Sequence, residues 1–381
     1  MLECKALHSI LYPRSSYYSS NPWKSDFAHA ITKTLTQLAH ELNLSIATIS
    51  RALNRPNVVA AQTRQRVLSA VHSHGYIPNG SKRALRTQQT RTIGVVVSDI
   101  RNTFFASVVK AVDDVARANG YSVLICNADE DSAKEEAALQ LLLDRKVSGV
   151  INCSTGANLK LLRTFQQSGA VLVDLDRESG LGHVDTVTVD NERGAELAAE
   201  HLVGLKHRAI ATIAGPQHLS NARGRLAGLR KTLHKFGIPI GERYIQVGDF
   251  KQDSGYQSAK KLLSRKDRPT AILSANIEMT AGLVAYVREA GIAIPQEVSI
   301  VSFDDAFWTR YIDPPLTVIA QPMEAMGKCA MELLLARLRG GRPSKTQIFA
   351  PKLIVRGSTT EAQSCVAATK SSSSSKGSGD R

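Results

Sequence analysis

Cysteine is scarce in this sequence, and its spacing matches no ligand pattern. The 381 residues contain five cysteines, an odd number, widely separated and without a CxxC pair. A disulfide framework and a zinc site are therefore not expected, and a reducing compartment suits such a chain best.

Long apolar runs are missing as well. No stretch approaches the roughly 20 residues that a membrane helix needs, and residues 1–31 lack the apolar segment of a secretory signal. The sequence therefore predicts a cytoplasmic protein that does not contact a membrane.

The common motifs of α/β enzymes are absent too. There is no GxGxxG after the first predicted strand, and no GxxxxGK(S/T), GxSxG or HExxH. An enzyme is therefore a disfavoured alternative, and we expect neither a cofactor nor a metal.

Positive charge is what the chain has in excess, and it is concentrated. The net charge is +14, and between residues 32 and 91 nine Lys and Arg residues oppose one acidic residue, Glu41, a net +8 in sixty residues. Such a concentration is typical of a module that binds a polyanion, although charge alone is also compatible with a solvated basic surface.

Composition divides the chain into regions. Residues 1–31 are irregular, rich in Ser and Tyr, and show no functional signal, whereas residues 32–91 are basic and helical in pattern. From residue 92 to 360, short β-branched runs alternate with amphipathic stretches. Residues 361–381, with five consecutive serines at 371–375, are predicted to be a disordered tail.

The region 92–360 has the pattern of a parallel α/β fold. Its apolar runs are nearly continuous, as in strands that are covered on both faces. The predicted strands are 93–97, 122–126, 149–153, 171–175, 209–213, 244–247, 271–274 and 299–303. The predicted helices between them are 104–118, 132–145, 194–205, 222–236 and 254–263. This alternation predicts two doubly wound lobes rather than one sheet.

Polar side chains follow several of these strands, where ligands of open α/β sheets bind. They are Ser98, Asp99, Asp174, Asp176, Asn276, Asp304 and Asp305. Carboxylate and amide groups suit hydroxyl ligands, but each of these residues taken singly could equally be an ordinary turn or cap residue.

The basic region contains a helix-turn-helix pattern. A first helix presents Leu35, Leu38, Ala39 and Leu42 on one face. Asn43 then tolerates the left-handed conformation of a tight turn, and Ser45 offers an N-cap for a second helix, 46–53. The inward face of that helix is Ile49 and Leu53, and a third helix, 61–74, is expected to close the core with Val67, Leu68 and Val71.

The outward side chains strengthen this interpretation. Ser45, Thr48, Ser50, Arg51 and Asn54 are small polar or guanidinium groups, which bind phosphates and base edges. A purely structural helix gains nothing from such a row.

The chain resembles the lactose/galactose-repressor (LacI/GalR) family. The resemblance covers residues 31–359 in the family's order. It is carried by TLTQLAHELNLSIATISRALN (34–54), TRQRV (63–67), GYIPN (75–79), TIGV (92–95), NTFF (102–105), VDNERG (189–194), FDD (303–305), PPLT (314–317) and LIVRGST (353–359). Asn43 stands where the family usually has Gly, and Ala60 stands where it usually has Ser.

The resemblance implies a homodimer on double-stranded operator DNA, with a helix-turn-helix domain at 32–78. The second helix would enter the major groove, where Ile46 and Ala47 take the chief base-reading positions beside Arg51. The backbone contacts would come from Thr34, Ser45, Thr48, Ser50 and Asn54.

Residues 79–91 would form a hinge helix and linker, with the helix at 79–86. The family pattern implies that Leu85 wedges into the minor groove. Eight residues are too few to hold a helix alone, so the hinge should fold only on DNA. A core or plain linker role for Leu85 remains the alternative.

Residues 92–360 would be a sensor of two lobes similar to periplasmic sugar-binding proteins. The implied effector contacts are Phe104, Asp176, Arg225, Phe250, Asn276, Asp304 and Gln321. Aromatic rings, Trp308 among the candidates, would cover a sugar's apolar face, and the polar groups would bind its hydroxyls. Arg225 in a surface ion pair is the alternative for that residue. Ile277 stands where the family commonly has Asp. Arg225 is the one cation expected in the pocket, which favours a neutral sugar or a sugar acid as the effector.

These features together predict an all-α helix-turn-helix head joined to an α/β, periplasmic-binding-protein-like sensor. The expected function is transcriptional regulation, most simply repression, under the control of a small sugar-like effector. A secreted sugar-binding protein would share the lobes but would need a signal peptide and would have no use for the basic head.

Overall fold

The computed structural model describes residues 35–54, 56–73, 90–341 and 344–362. These residues belong to two compact units, which divide between Thr87 and Gln88. The predicted regions 1–31 and 79–86 and most of 361–381 lie outside the described residues, and each unit is taken by itself below.

Within its described residues, the first unit contains three helices: α1 (Leu35–Leu42), α2 (Ile46–Asn54) and α3 (Ala61–Ser73), with a 3-10 turn at Pro56–Val58. Each helix supplies one fully buried side chain to a common core: Leu38, Ile49 and Val67. Such a small core depends on apolar residues at helical spacing on all three elements.

The turn between α1 and α2 has the geometry that its residues favour. Asn43 has φ 51°, in the left-handed region that Asn tolerates. The Thr48 amide donates to Ser45 Oγ at 3.0 Å, and the two hydroxyl oxygens lie 2.8 Å apart. Ser45 therefore caps α2 as predicted.

The prediction for Leu68 is wrong. This side chain is 42% exposed, while Ala70 and Val71 pack against the core beside Val67. Residues three and four positions from Val67 share its helix face, whereas the adjacent residue points about 100° away.

The second unit contains two six-stranded sheets, one in each lobe. The lobe 1 strands are β1 (Thr92–Val97), β2 (Ser122–Asn127), β3 (Gly149–Asn152), β4 (Val171–Leu175), β5 (Asp185–Val189) and β11 (Thr346–Phe349). The lobe 2 strands are β6 (Ile210–Ala214), β7 (Ile245–Val247), β8 (Ala271–Ser274), β9 (Ser299–Phe303), β10 (Thr317–Ala320) and β12 (Lys352–Ile354). The two orders are β2-β1-β3-β4-β5-β11 and β7-β6-β8-β9-β10-β12.

Within the described residues, all paired strands are parallel except β10 and β12. Both lobes thus have the same doubly wound plan, with a switch point beside the first strand of each. The crevice outside the carboxyl ends of those strands is where ligands of such sheets bind.

Helices cover both sheets. Lobe 1 has α4 (Thr103–Ala118), α5 (Ser132–Asp144), α6 (Leu159–Gln167) and α11 (Met323–Leu338). Lobe 2 has α7 (Asn191–Gly204), α8 (Ser220–Lys235), α9 (Gln252–Leu263) and α10 (Ile277–Glu289). The sequence pattern did not predict α6, α10, α11, β5, β10, β11 or β12.

The chain passes between the lobes three times: after β5, after β10, and between β11 and β12. The C-terminal strands therefore complete both sheets. Three adjacent connections form a hinge on one side of the cleft and leave the opposite side open to movement.

Candidate effector site and DNA-reading helix

Lobe 1 supplies an aromatic corner to the cleft. Asn102 caps α4 by accepting a hydrogen bond from the Phe104 amide at 3.0 Å. The cap fixes the start of the helix, so that Phe104 is buried and packs edge to face on Phe105, with 5.0 Å between ring centres.

Lobe 1 also supplies a buried ion pair. Asp176 and Arg177 follow β4 directly, and Glu130 follows β2. Arg177 Nη1 donates to Glu130 Oε2 at 2.7 Å and Nη2 donates to Oε1 at 2.5 Å. The Arg177 Nε lies 3.5 Å from Asp176 Oδ2, so one guanidinium lies between two carboxylates.

Lobe 2 supplies a second buried cation, Arg225 on α8. Its Nε donates to Asn191 Oδ1 at 2.8 Å, its Nη1 donates to the Ala275 carbonyl at 2.5 Å, and its guanidinium stacks 4.2 Å from the Phe303 ring centre. Burial lowers the pKa of Arg225, and Asp176 and Asp304 oppose that shift. An arginine remains charged under these conditions.

The opposite wall is Phe250, held by Asn276. The Asn276 amide donates to the Phe250 carbonyl at 2.9 Å, and its Oδ1 caps α10 by accepting from the Met279 amide at 2.9 Å. The Phe250 ring lies against Gly215, where any Cβ would come within 2.1 Å of the ring. Gly215 is therefore required for this ring position.

Asp304 and Gln321 complete the lobe 2 face. Gln321 Nε2 donates to Asp304 Oδ1 at 2.6 Å. Burial raises the pKa of Asp304 to about 6, although Arg225 and Gln321 favour its ionised form. The Asp304 carboxyl therefore loses its proton at a higher pH than an exposed aspartate does.

The two lobes contact each other across the cleft. Asn221 Nδ2 donates to Asp176 Oδ2 at 2.8 Å, and Arg225 Nη2 lies 3.9 Å from Asp176 Oδ1. The cleft leaves a free volume of about 20 Å³, room for a water molecule and not for a sugar. Entry of a sugar-sized ligand therefore requires the lobes to separate.

The cleft brings together all seven residues predicted as effector contacts: Phe104, Asp176, Arg225, Phe250, Asn276, Asp304 and Gln321. It also contains five that the sequence reasoning missed: Asn102, Phe105, Glu130, Arg177 and Asn221. Arg177 could have been found as the residue after Asp176, and Asn102 as the N-cap of the NTFF motif.

Other candidates have different surroundings. Trp308 packs on the lobe 2 core and does not line the cleft. Ile277, the first residue of α10, is buried and does not line the cleft. The remaining strand-end acids bind locally: Asp99 to Arg101, Asp174 to Ser179, and Asp305 to Arg310 and Arg356.

In the first unit, the outer face of α2 is open. Ile46 is 46% exposed, and Ala47 and Arg51 are exposed as well. Ser45 and Thr48 hold the cap, and Ser50 is half-buried. Thr34 and Leu85 lie outside the described residues, and so does the side chain of Asn54, the last residue of α2.

A helix-turn-helix unit and a two-lobed unit with a polar cleft together define a DNA-binding regulator that responds to a ligand. The family model "Bacterial regulatory proteins, lacI family" matches residues 34–79, and the model "Periplasmic binding protein-like domain" matches residues 199–359. The chain belongs to the lacI family and is a transcriptional regulator, not an enzyme.

Individual relatives agree with this assignment. The HTH-type transcriptional repressor PurR of Photobacterium profundum is 30% identical over 333 residues, which are 86% of this chain and 99% of that protein. The lac repressor dimer bound to operator and the anti-inducer ONPF has a TM-score of 0.74 at 29% identity, covering 86% of this chain and 99% of that one. A LacI family regulator from Enterococcus faecium with bound ribose has a TM-score of 0.65 at 30% identity, covering 71% and 100%.

None of the helices in the described ranges combines the length and the apolar character that a membrane crossing requires.

Proposed function

We propose that this protein is a cytoplasmic repressor that binds operator DNA as a homodimer and that a small sugar-like effector controls its DNA affinity. The observation that carries the proposal is the cleft, in which carboxylate, amide and guanidinium groups from both lobes converge beside three phenylalanine rings. Hydroxyl groups both donate and accept hydrogen bonds, so such a mixed set suits a sugar. The ribose-bound relative and the operator-bound lac repressor dimer support the effector class and the dimer.

In this proposal each cleft residue has a role. Phe104 and Phe250 cover the apolar face of the sugar, and Asp176, Arg225 and Asp304 bind its hydroxyls. Asn276 and Gln321 contact the sugar as well, and they also orient Phe250 and Asp304 through the bonds described above.

The DNA-binding roles follow the exposed face of α2. Ile46 and Ala47 contact base edges, Arg51 binds a base or phosphate, and Ser45, Thr48, Ser50, Thr34 and Asn54 contact the backbone. Residues 32–78 act as the DNA-binding domain, residues 79–91 as hinge and linker with Leu85 as a minor-groove wedge, and residues 92–360 as the effector-binding and dimerisation domain.

Control arises because the effector binds the separated and closed arrangements of the lobes with different affinity. A ligand shifts an equilibrium only by that difference. The linked change in DNA affinity is reciprocal, so DNA must alter effector affinity by the same factor.

The test combines two cleft variants with one matched control. Arg225→Ala and Asp304→Ala should abolish the effector's influence on operator binding and leave operator binding itself nearly unchanged, since both residues belong to the second unit. Arg223→Ala removes an exposed arginine two residues away on the same helix and should respond like the wild type.

Gel shift with the promoter of the adjacent genes, with and without pools of neutral sugars, gives the response. Calorimetry then gives sugar affinity. Unchanged sugar affinity in both cleft variants would contradict the assignment of the site, and failure of the wild type to shift promoter DNA would contradict the proposed function itself.

A further inference from the structure

We infer that the cleft selects an uncharged polyol and rejects sugar acids and phosphorylated sugars, with Glu130 as the residue that sets this preference. The inference rests on the proposed function, because it concerns the ligand of the same cleft. It goes further in assigning a charge to that ligand and a specificity role to a buried ion pair.

The first step is that Glu130 occupies the end of the Arg177 guanidinium. Both terminal nitrogens donate to the two oxygens of one carboxylate, at 2.7 and 2.5 Å. Such bidentate geometry is the one by which arginine would otherwise bind the carboxylate or phosphate of a ligand. Arg177 cannot offer this end to an effector while Glu130 holds it.

The second step is that separation of the lobes does not break this pair. Glu130 follows β2 and Arg177 follows β4, both strands of the lobe 1 sheet. Lobe 2 contacts Arg177 through the Phe250 ring, whose centre is 5.2 Å from the guanidinium carbon, but both hydrogen bonds of the pair are made within lobe 1. The ion pair therefore belongs to one lobe and persists in open and closed arrangements.

The third step is that Arg225 is equally committed within lobe 2. Its Nε and Nη1 donate to Asn191 and to the Ala275 carbonyl, and Phe303 covers the face of the guanidinium. Only Nη2 extends toward the cleft, where it lies 3.9 Å from Asp176. Arg225 therefore offers single hydrogen bonds and no fork.

The fourth step is the balance of charge. Three carboxylates, Glu130, Asp176 and Asp304, face two guanidiniums in a narrow cleft with room for little more than one water molecule. An anionic effector would add a further negative charge beside Asp176 and Asp304, and a buried charge without its own partner is costly.

The atoms left without partners fit a hydroxyl. Asp176 Oδ1 and Gln321 Oε1 are buried acceptors without a hydrogen bond, and Arg177 Nε is a buried donor without one. A sugar hydroxyl can donate to either oxygen and accept from the nitrogen. An ionised carboxylate or phosphate offers acceptors alone and leaves both oxygens unsatisfied.

The first experiment needs no knowledge of the natural effector. Thermal unfolding of the full chain is followed with and without millimolar inorganic phosphate, in the wild type, in Glu130→Gln and in Glu178→Gln. Glu178 is exposed and adjacent to Arg177, so its variant makes the same change of charge near the cleft without freeing the guanidinium. Gln at 130 retains one acceptor for Arg177.

We expect phosphate to raise the melting temperature of Glu130→Gln more than that of the wild type. The shift for Glu178→Gln should equal that of the wild type. Binding to the basic head is common to all three proteins and cancels in the comparison. Equal shifts in all three proteins overturn the role of Glu130.

The second experiment compares matched sugars by calorimetry: ribose against ribose 5-phosphate, glucose against gluconate and glucose 6-phosphate, and galactose against galacturonate. Any neutral sugar that binds should bind the wild type at least about tenfold more tightly than its anionic counterpart, and Glu130→Gln should reduce that ratio by about tenfold, the value of one charge-assisted hydrogen bond.

Tighter wild-type binding of an anion than of its neutral counterpart overturns the inference. A further outcome is that phosphate stabilises Glu130→Gln more than the wild type while no sugar of either class alters operator binding. In that case the charge assignment stands and the sugar effector of the proposed function fails.

Discussion

Three of the cleft side chains extend from backbone positions that few residues other than glycine adopt. Asp176, Phe250 and Asp304 have φ values of 65°, 66° and 75°. The surrounding structure must impose such conformations, because they cost free energy for a residue with a Cβ. Their concentration in one cleft indicates that the placement of these side chains outweighs the cost of an unfavourable backbone conformation.

The raised pKa of Asp304 predicts a pH-dependent stability. Its pKa is about 6 in the folded protein against 3.8 ordinarily, because burial disfavours the charge. Between these values the folded protein keeps a proton that the unfolded chain has released, so this contribution to stability is present at low pH and is lost as pH rises through 6. At pH 7.5, Asp304→Asn should therefore raise the free energy of unfolding by on the order of 2 kcal/mol, which is seen as a higher melting temperature. At pH 4.5 the increase should be much smaller.

Asp305→Asn is the matched control for that prediction. Burial would raise the pKa of Asp305, but its bonds to Arg310, Arg356 and Thr309 lower it overall. Its removal should destabilise the protein at pH 7.5, the opposite sign. A melting-temperature difference for Asp304→Asn that does not vary with pH would contradict the assignment.

Arg51 carries a prediction about base recognition. Ile46 and Ala47 have no hydrogen-bonding side chains, so Arg51 is the nearby exposed group able to bind guanine bidentately. Arg51→Ala should relax one guanine position of the selected operator, at about 1–3 kcal/mol. Arg51→Lys keeps the charge and loses the fork, and it should relax the same position. Selection of operator sequences from random DNA tests this prediction. If Arg51→Ala weakened binding to all sequences equally, Arg51 would be a phosphate contact.

Residue motifs were sufficient for part of the cleft and insufficient for the rest. Phe104 and Asp304 stand in the motifs NTFF and FDD, so their convergence could be predicted. Glu130 and Arg177 are 47 positions apart, and each alone resembles the exposed charge that most such residues are. Only the sheet order, which places their strand ends on one edge, brings them together.

At the level of elements, the contact between α9 and α10 depends on two glycines. A Cβ at Gly282 would lie 1.9 Å from the Gln252 carbonyl oxygen, and one at Gly255 would lie 2.1 Å from the Met279 carbonyl oxygen. Each glycine thus lets the backbone of the other helix approach, and neither helix can yield without shifting the cap at Asn276.

Gly282→Ala should therefore lower the free energy of unfolding by about 1–3 kcal/mol, as overpacking does. Gly204→Ala is the control: it is also a helical glycine, at the end of α7, with nothing within 4 Å of its Cβ position. It should stabilise by up to about 1 kcal/mol. Denaturant unfolding of both variants measures the contrast, and equal effects would rule out the close helix contact.

The elements that the sequence pattern missed share physical causes. β11 and β12 each begin with a polar residue and are exposed or half-buried along their length, so neither forms a continuous apolar run. α11 packs on α4 and on the lobe 1 sheet at once, so it is apolar on several faces and lacks a clear amphipathic period. Most of the strands that were predicted, in contrast, are continuous apolar runs buried along their length.

At the level of the whole molecule, charge is distributed as unevenly as function. Residues 32–91 carry +8 of the net +14, although they are less than a sixth of the chain. The effector cleft, in contrast, balances its guanidiniums with carboxylates. One part of the chain is therefore adapted to a polyanion and the other to a ligand without a large charge.

This asymmetry predicts a steep salt dependence of operator binding. Each phosphate neutralised by Lys or Arg releases counterions, so the logarithm of the binding constant falls with log salt by about 0.9 per contact. Six or more contacts would weaken binding by about a thousandfold or more between 50 and 200 mM salt. Arg64→Gln, on the exposed face of α3, should lower the slope, whereas Lys261→Gln, equally exposed on α9, should leave it unchanged. Filter binding at five salt concentrations measures both slopes. A loss of less than about tenfold over that range would mean that the basic region is not the surface that meets the DNA backbone. The same conclusion would follow if Arg64→Gln had the slope of the wild type and Lys261→Gln had a lower slope.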